Sequence, residues 1–141
     1  MGTQFGTQLI GQTEKALNAI LERMLAGTGI SEPQWVALTL TVRAGGPVPA
    51  GELAGRIAAA TKTGPAAARE RLGELAAAGL IEHAPDGAAC ATERGRAQWS
   101  AVRARIEELT DRLWGDLPAA DLATAGSVLS TVLGRANAVL A

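Results

Sequence analysis

Few residues in this chain are equipped for chemistry. Among 141 residues there is one histidine, His83, one cysteine, Cys90, and no tyrosine. Covalent catalysis needs a nucleophile held beside a base, and a single imidazole leaves little to build with. A zinc-type site needs three or four ligands. His83 has no companions at ligand spacing and reads as a strand residue. The Cys90 thiol needs a basic, partly exposed setting to react, and Arg94 is the cation nearby, so redox sensing is the minor reading. The carboxylates Glu107 and Glu108 are adjacent in sequence, and adjacent helical residues do not face one another. No glycine-rich phosphate loop follows a strand. The inventory points away from an enzyme, a metal or a cofactor and towards a binding protein.

Binding chemistry rests on charge and aromatic surface. Lys+Arg number 13 against 14 Asp+Glu, a net charge of −1. A nucleic-acid binder uses clustered Lys and Arg, so any basic patch here is local. Residues 49–96 carry Arg56, Lys62, Arg69, Arg71, Arg94 and Arg96 against Glu52, Glu70, Glu74, Glu82, Asp86 and Glu93, which makes that stretch neutral. Arg69 and Arg71 have two readings: contacts to nucleic acid, or solvated helix residues with Glu70 and Glu74 as partners. Trp35, Trp99 and Trp114 suit a core or an interface, and Trp35 also suits the wall of a ligand pocket.

The elements that must position these groups are helical almost throughout. At 48% hydrophobic and 19% charged, the chain is of the folded class, with the length of one domain. One cysteine excludes an internal disulfide, which fits a reducing cytosol. The segment Met1 to Phe5 lacks the basic and apolar pattern of a signal peptide. No apolar run reaches the roughly 18 residues of a membrane span.

Leu9, Leu17, Ile20, Leu21, Met24 and Leu25 predict a first helix over about residues 6–26. Ser31-Glu32-Pro33-Gln34 is a capping box, with Ile30 and Trp35 at the staple positions. Trp35, Leu38 and Val42 share one face of that second helix, which Gly45-Gly46 stops. A short third helix carries Leu53, Ile57 and Ala58, and residues 59–64 read as a turn or, through their alanines, as more helix. Pro65 suits the first turn of a fourth helix with Ala68, Leu72, Leu75 and Ala76 on its apolar face and Gly79 past its end. Leu80–Ala84 and Ala88–Ala91, around Pro85-Asp86-Gly87, predict a hairpin and are the only strand signal. Thr92 caps a long helix whose Trp99, Val102, Ile106, Leu109 and Leu113 form a seam of about two heptads. Leu117-Pro118 breaks it before a final helix carrying Leu122, Val128, Leu129, Val132, Leu133, Val139 and Leu140.

Three short helices followed by a small hairpin is the winged helix-turn-helix order. Apolar helices at both ends call for a partner chain. Two passages resemble the MarR family of transcriptional regulators. One is Ile30-Ser31-Glu32-Pro33-Gln34-Trp35-Val36-Ala37-Leu38, followed by Gly45-Gly46-Pro47-Val48 and Glu52-Leu53-Ala54. The other is Leu72-Gly73-Glu74-Leu75-Ala76-Ala77-Ala78-Gly79-Leu80-Ile81-Glu82, followed by Thr92-Glu93-Arg94-Gly95-Arg96-Ala97. Each is weak alone, and their order and spacing carry the likeness from about residue 6 to the C-terminus.

The resemblance implies a mainly α fold with one MarR-like domain over residues 1–141. Dimerisation helices would lie at about 6–26 and 93–140, and the winged-helix lobe at about 31–92. The helix from Pro65 would enter the major groove, with Thr63, Gly64, Ala66, Ala67 and Arg69 at its front and Lys62 and Arg71 beside phosphates. Residues 80–91 would be the wing. An effector pocket between the dimer helices and the lobe would take in Trp35, Leu38 and Met24. The implied protein is a cytoplasmic homodimer that binds a palindromic DNA operator and releases it for a small aromatic or apolar effector.

The chain departs from that pattern at the wing tip, where relatives commonly carry arginine and Pro85-Asp86-Gly87-Ala88-Ala89 has no cation. The front of the fourth helix is rich in alanine. These departures motivate a rival reading, in which the MarR-like scaffold has lost DNA binding and serves as a small-molecule-binding protein or an enzyme.

Overall fold

The computed structural model describes residues 3–141. Met1 and Gly2, the start of the segment read as lacking a signal-peptide pattern, lie outside the described residues. Among the described residues six helices are formed: α1 (Thr7–Leu25), α2 (Glu32–Arg43), α3 (Ala50–Thr61), α4 (Pro65–Ala77), α5 (Glu93–Trp114) and α6 (Ala119–Leu140). Three short strands, β1 (Val48–Pro49), β2 (Ile81–His83) and β3 (Ala88–Ala91), make one antiparallel sheet in the order β1-β3-β2. The chain is therefore mainly helical, and α2 to α4 with the β2–β3 hairpin are a winged helix-turn-helix lobe.

The helix boundaries follow local chemistry. At α2 both halves of the capping box are made: Ser31 Oγ accepts from the Gln34 amide at 3.3 Å, and the Ser31 amide donates to Gln34 Oε1 at 2.9 Å. Ile30 and Trp35 are both buried, as a staple requires. The alanines after Ile57 extend α3 to Thr61, the second of the two alternatives, and its C-cap Lys62 is left-handed with φ 56°. At α5 the Thr92 hydroxyl accepts from the Gly95 amide at 3.0 Å and donates to the Gly79 carbonyl at 2.7 Å. One side chain thus caps α5 and ties it to the end of α4. Gly95 is required there, because a Cβ would overlap the Leu80 carbonyl.

The strand β1 departs from the expectation of a hairpin alone. It pairs Val48 with Ala89 and Pro49 with Ala88. Two residues, one a proline, carry no alternation to detect, and proline is tolerated because β1 is an edge strand.

Contacts divide the chain after Ile106. In the first unit, Leu38, Leu53, Ala54, Ile57, Ala68, Leu72, Leu75, Leu80, Ile81 and Val102 form one buried cluster. Trp99 and Ile106 pack against it. The first half of the α5 seam is therefore covered by its own chain, contrary to its expected use against a partner. Val102 was free to turn inward because α5 is anchored three times. Gln98 Nε2 donates to the Thr28 carbonyl at 3.1 Å, Trp99 Nε1 to Thr39 Oγ1 at 3.0 Å, and Arg105 Nη1 to the Met24 carbonyl at 3.0 Å. The second unit, Glu107–Ala141, holds the end of α5 and α6. No residue of α6 is buried.

Candidate nucleic-acid interface

The turn between α3 and α4 is set by hydroxyls and one left-handed residue. Thr61 Oγ1 donates to the Ile57 carbonyl at 2.8 Å and shares a hydrogen bond of 2.7 Å with Thr63 Oγ1. The Thr63 amide reaches back to the Ala58 carbonyl at 3.1 Å. The chain thereby turns sharply and starts α4 at Gly64 with Pro65 in the first helical position. No side chain caps that start. A helix N-terminus with uncapped amides carries partial positive charge.

Ala68, Leu72 and Leu75 of α4 face the core. The turn ahead of α4 and its first residues present Lys62, Thr63, Gly64, Pro65 and Ala66 as exposed residues, with Ala67 half-buried and Arg69 exposed. All the sequence-derived candidates except Arg71 thus gather at one end of α4. Arg69 makes no ion pair among the described residues, and its guanidinium is drawn back towards Gly51 at the start of α3. With His83, Ala50, Gly51, Leu72 and Gly73 it lines a cavity of about 230 Å³ between α3, α4 and the wing.

Arg71 adopts the arrangement with carboxylate partners. Its Nη2 lies 2.7 Å from Glu74 Oε1 and 3.3 Å from Glu70 Oε2. Arg56 is likewise paired with Glu52 at 2.7 Å, and Arg96 donates to the Ala91 carbonyl at 2.7 Å. At the wing tip Asp86 accepts from the Ala88 amide at 3.0 Å, and Gly87 takes φ 87°. The tip is turn chemistry and carries no cation.

The three pocket candidates lie on α1 and α2. Trp35 and Leu38 are buried and Met24 is half-buried. Trp35 stacks on Trp99. A cavity of about 440 Å³ opens between α1 and the start of α2, lined by Glu22, Leu25, Ala26, Ile30, Ser31, Glu32 and Pro33. None of the three expected pocket residues is in that lining. Partial burial, reinforced by the Glu14 and Glu22 carboxylates, raises the pKa of Glu32 above the usual carboxylate value. Sequence reasoning missed Glu32 as a perturbed group. Its signal was present in the carboxylates of α1 at residues 14 and 22, but only the fold brings them to α2.

Cys90 is half-buried in β3, with its Sγ 3.8 Å from Glu82 Oε1. No group of three or more metal-ligating side chains occurs among the described residues. No single helix among them is long and apolar enough to cross a membrane.

No protein-family model matches this chain, and no curated protein matches it in sequence. Solved structures match its fold. A MarR-family transcriptional regulator of a Rhodococcus species superposes with a TM-score of 0.74 at 20% identity, over 88% of this chain and 90% of that one. CouR of Rhodococcus jostii, bound to p-coumaroyl-CoA, gives 0.75 at 19% identity, over 88% of each chain. A Mycobacterium tuberculosis MarR-family protein in complex with DNA gives 0.70 at 22% identity, over 93% of this chain and 98% of that one. The fold is that of the MarR-family regulators.

Proposed function

We propose that this chain is a MarR-family transcriptional regulator: a cytoplasmic homodimer that binds a palindromic DNA site and is released by a small effector. The observation that carries this reading is the uncapped start of α4, solvent-exposed and flanked by Lys62, Thr63 and Arg69. A helix presented this way fits a major groove. Lys62 and Arg69 supply backbone contacts that position α4, and Thr63 with Ala66 and Ala67 faces the base edges.

Dimerisation is supported by the exposed apolar residues of the second unit. Leu113, Trp114, Leu117, Leu129, Leu133, Val139 and Leu140 are each at least 40% exposed, Val139 as much as 84%. Burying such side chains is worth roughly 1.5–3 kcal/mol each, so a second copy is the natural cover. Two copies present two α4 helices, and a two-fold protein matches a palindrome. An aromatic or apolar effector suits the α1–α2 region, where Leu25, Ile30 and Pro33 line the cavity beside the Trp35 staple. The solved relatives bound to DNA and to p-coumaroyl-CoA support both halves of the reading by analogy.

The test is a DNA titration at two salt concentrations, using duplexes selected from a randomised pool. Two phosphate contacts per chain in a dimer give a salt slope of about 3–4. One specific observation favours the rival reading. Arg56 and Arg71 are both occupied by carboxylates, which leaves a sparse positive surface. A protein that selects no duplex at about 100 mM salt, while binding small aromatic ligands, is the ligand-binding scaffold instead.

A further inference from the structure

Arg71 and Glu74 lie on α4 beyond the residues proposed to face the bases; Arg71 is paired with Glu70 and Glu74 on the same helix, and Glu74 is bonded across to α2. Gln34 Nε2 donates to Glu74 Oε2, joining α2 to α4. The same Gln34 amide is held at its other end, where Oε1 accepts from the Ser31 amide at 2.9 Å. Glu74 uses its second oxygen for Arg71 Nη2 at 2.7 Å. The Arg71 Nε is buried and without a hydrogen-bond partner. The result is a continuous polar chain, Ser31–Gln34–Glu74–Arg71, from the capping box of α2 to the middle of α4.

Such a chain refines what the apolar contacts of α4 set only broadly. Ala68, Leu72 and Leu75 hold α4 against the core, but hydrophobic burial has no preferred direction. Hydrogen bonds weaken steeply when misaligned. A fixed bond at Glu74 therefore narrows the rotation of α4 about its own axis, within the range that its buried face allows. That rotation decides where Ala66, Ala67 and Arg69, one to two turns earlier, present themselves.

We propose that Gln34, Glu74 and Arg71 are positioning residues that fix the presentation of α4 to DNA, and that Arg71 does not itself contact a phosphate. This rests on the DNA-binding reading above. Three variants test it against wild type on the selected duplex and on random duplex at two salt concentrations. Arg71→Met removes the cation and keeps the stem. Gln34→Glu keeps the acceptor that the Ser31 amide needs and sets a carboxylate against Glu74. The double exchange Q34E/E74Q restores the bond with donor and acceptor reversed and leaves net charge as in wild type.

Arg71→Met is expected to leave the salt slope unchanged, whereas removing a phosphate-binding cation from both chains lowers it by about 1.8. Gln34→Glu is expected to weaken the selected duplex about tenfold, within the range for residues that touch no ligand, and to change random-duplex affinity less than twofold. The double exchange is expected to recover most of the loss. Simple destabilisation weakens both duplexes together, and thermal melts of each variant report it directly. A fall of nearly two in the slope of Arg71→Met, equal losses on both duplexes for Gln34→Glu, or no recovery in the double exchange overturns the proposal. Wild type that selects no duplex overturns the DNA-binding reading, and this role with it. Wild type that binds with indifferent variants overturns this role alone.

Discussion

The indole of Trp99 lies nearly parallel to that of Trp35, with ring centroids 6.2 Å apart and planes inclined by 16°. Trp99 Nε1 also donates to Thr39 Oγ1 at 3.0 Å. The first half of α5 is thus fastened to α2 by a stack and a hydrogen bond on the same ring. Trp99→Ala removes both and is expected to cost about 3 kcal/mol. Trp99→Phe keeps the ring and loses the donor, for about 1 kcal/mol. Urea unfolding followed by far-UV circular dichroism measures the pair, and equal losses for the two variants contradict this account.

Gly95 stands where a Cβ would overlap the Leu80 carbonyl. Backbone cannot swing aside as a side chain can, so α5 must shift or the wing must open. Gly95→Ala is expected to destabilise by about 1–3 kcal/mol, the usual cost of overpacking. The denaturation midpoint falls with the slope m unchanged. A neutral or stabilising substitution, as at an ordinary helix glycine, would falsify the close approach.

Glu32 has a raised pKa, caused first by burial and then by Glu14 and Glu22. The folded state therefore holds its proton to higher pH than the unfolded chain does. The sign follows from linkage: this group favours folding when protonated, and its contribution falls as pH rises from the ordinary value of 4.5 towards the folded pKa. Glu32→Gln removes the ionisation. It is expected to raise stability at pH 7 relative to wild type and to flatten the pH dependence just above 4.5. Thermal melts between about pH 4 and pH 7 decide it, and a wild-type difference that grows towards low pH refutes it.

The α6 residues Leu129, Val132 and Leu133 are all exposed. In a homodimer, light scattering at micromolar concentration gives twice the 14.4 kDa chain mass. Leu133→Glu, which places a charge among apolar neighbours, is expected to halve it. A folded wild-type monomer at that concentration removes the dimer from the proposal.

Lys62 is exposed at the C-cap of α3, just ahead of α4. Lys62→Ala is expected to weaken DNA of every sequence alike and to lower the salt slope by about 1.8, because a dimer carries the residue twice. Arg69→Ala is expected to act in the same way, since its guanidinium is drawn back towards the start of α3. Loss of affinity confined to one selected sequence would show that either residue reads a base.

Much of this molecule was legible because its signals are local. Ser31 and Gln34 spell a cap within four residues, Thr92 sits one residue before α5, and Pro65 and Gly79 bracket α4. Each needs only its own turn of helix to act, so composition and spacing suffice to find it. The front of α4 was legible for the same reason. Ala66 is exposed because the apolar face of that helix lies opposite it, and Lys62 and Thr63 because they form the turn ahead of it. What tertiary structure alone decided depends on residues far apart in the chain. The strand β1 exists only because Val48 and Pro49 meet Ala89 and Ala88. Val102 faces its own core only because Gln98, Trp99 and Arg105 find Thr28, Thr39 and Met24, some 60–81 residues away. Arg71 had two readings, a contact to nucleic acid or a pairing with Glu70 and Glu74, and the Glu74 carboxylate with which it pairs is also bonded by Gln34, 40 residues away in sequence. A side chain's local neighbours limit its options, but its choice among them is made by partners that only the folded backbone brings within hydrogen-bonding distance.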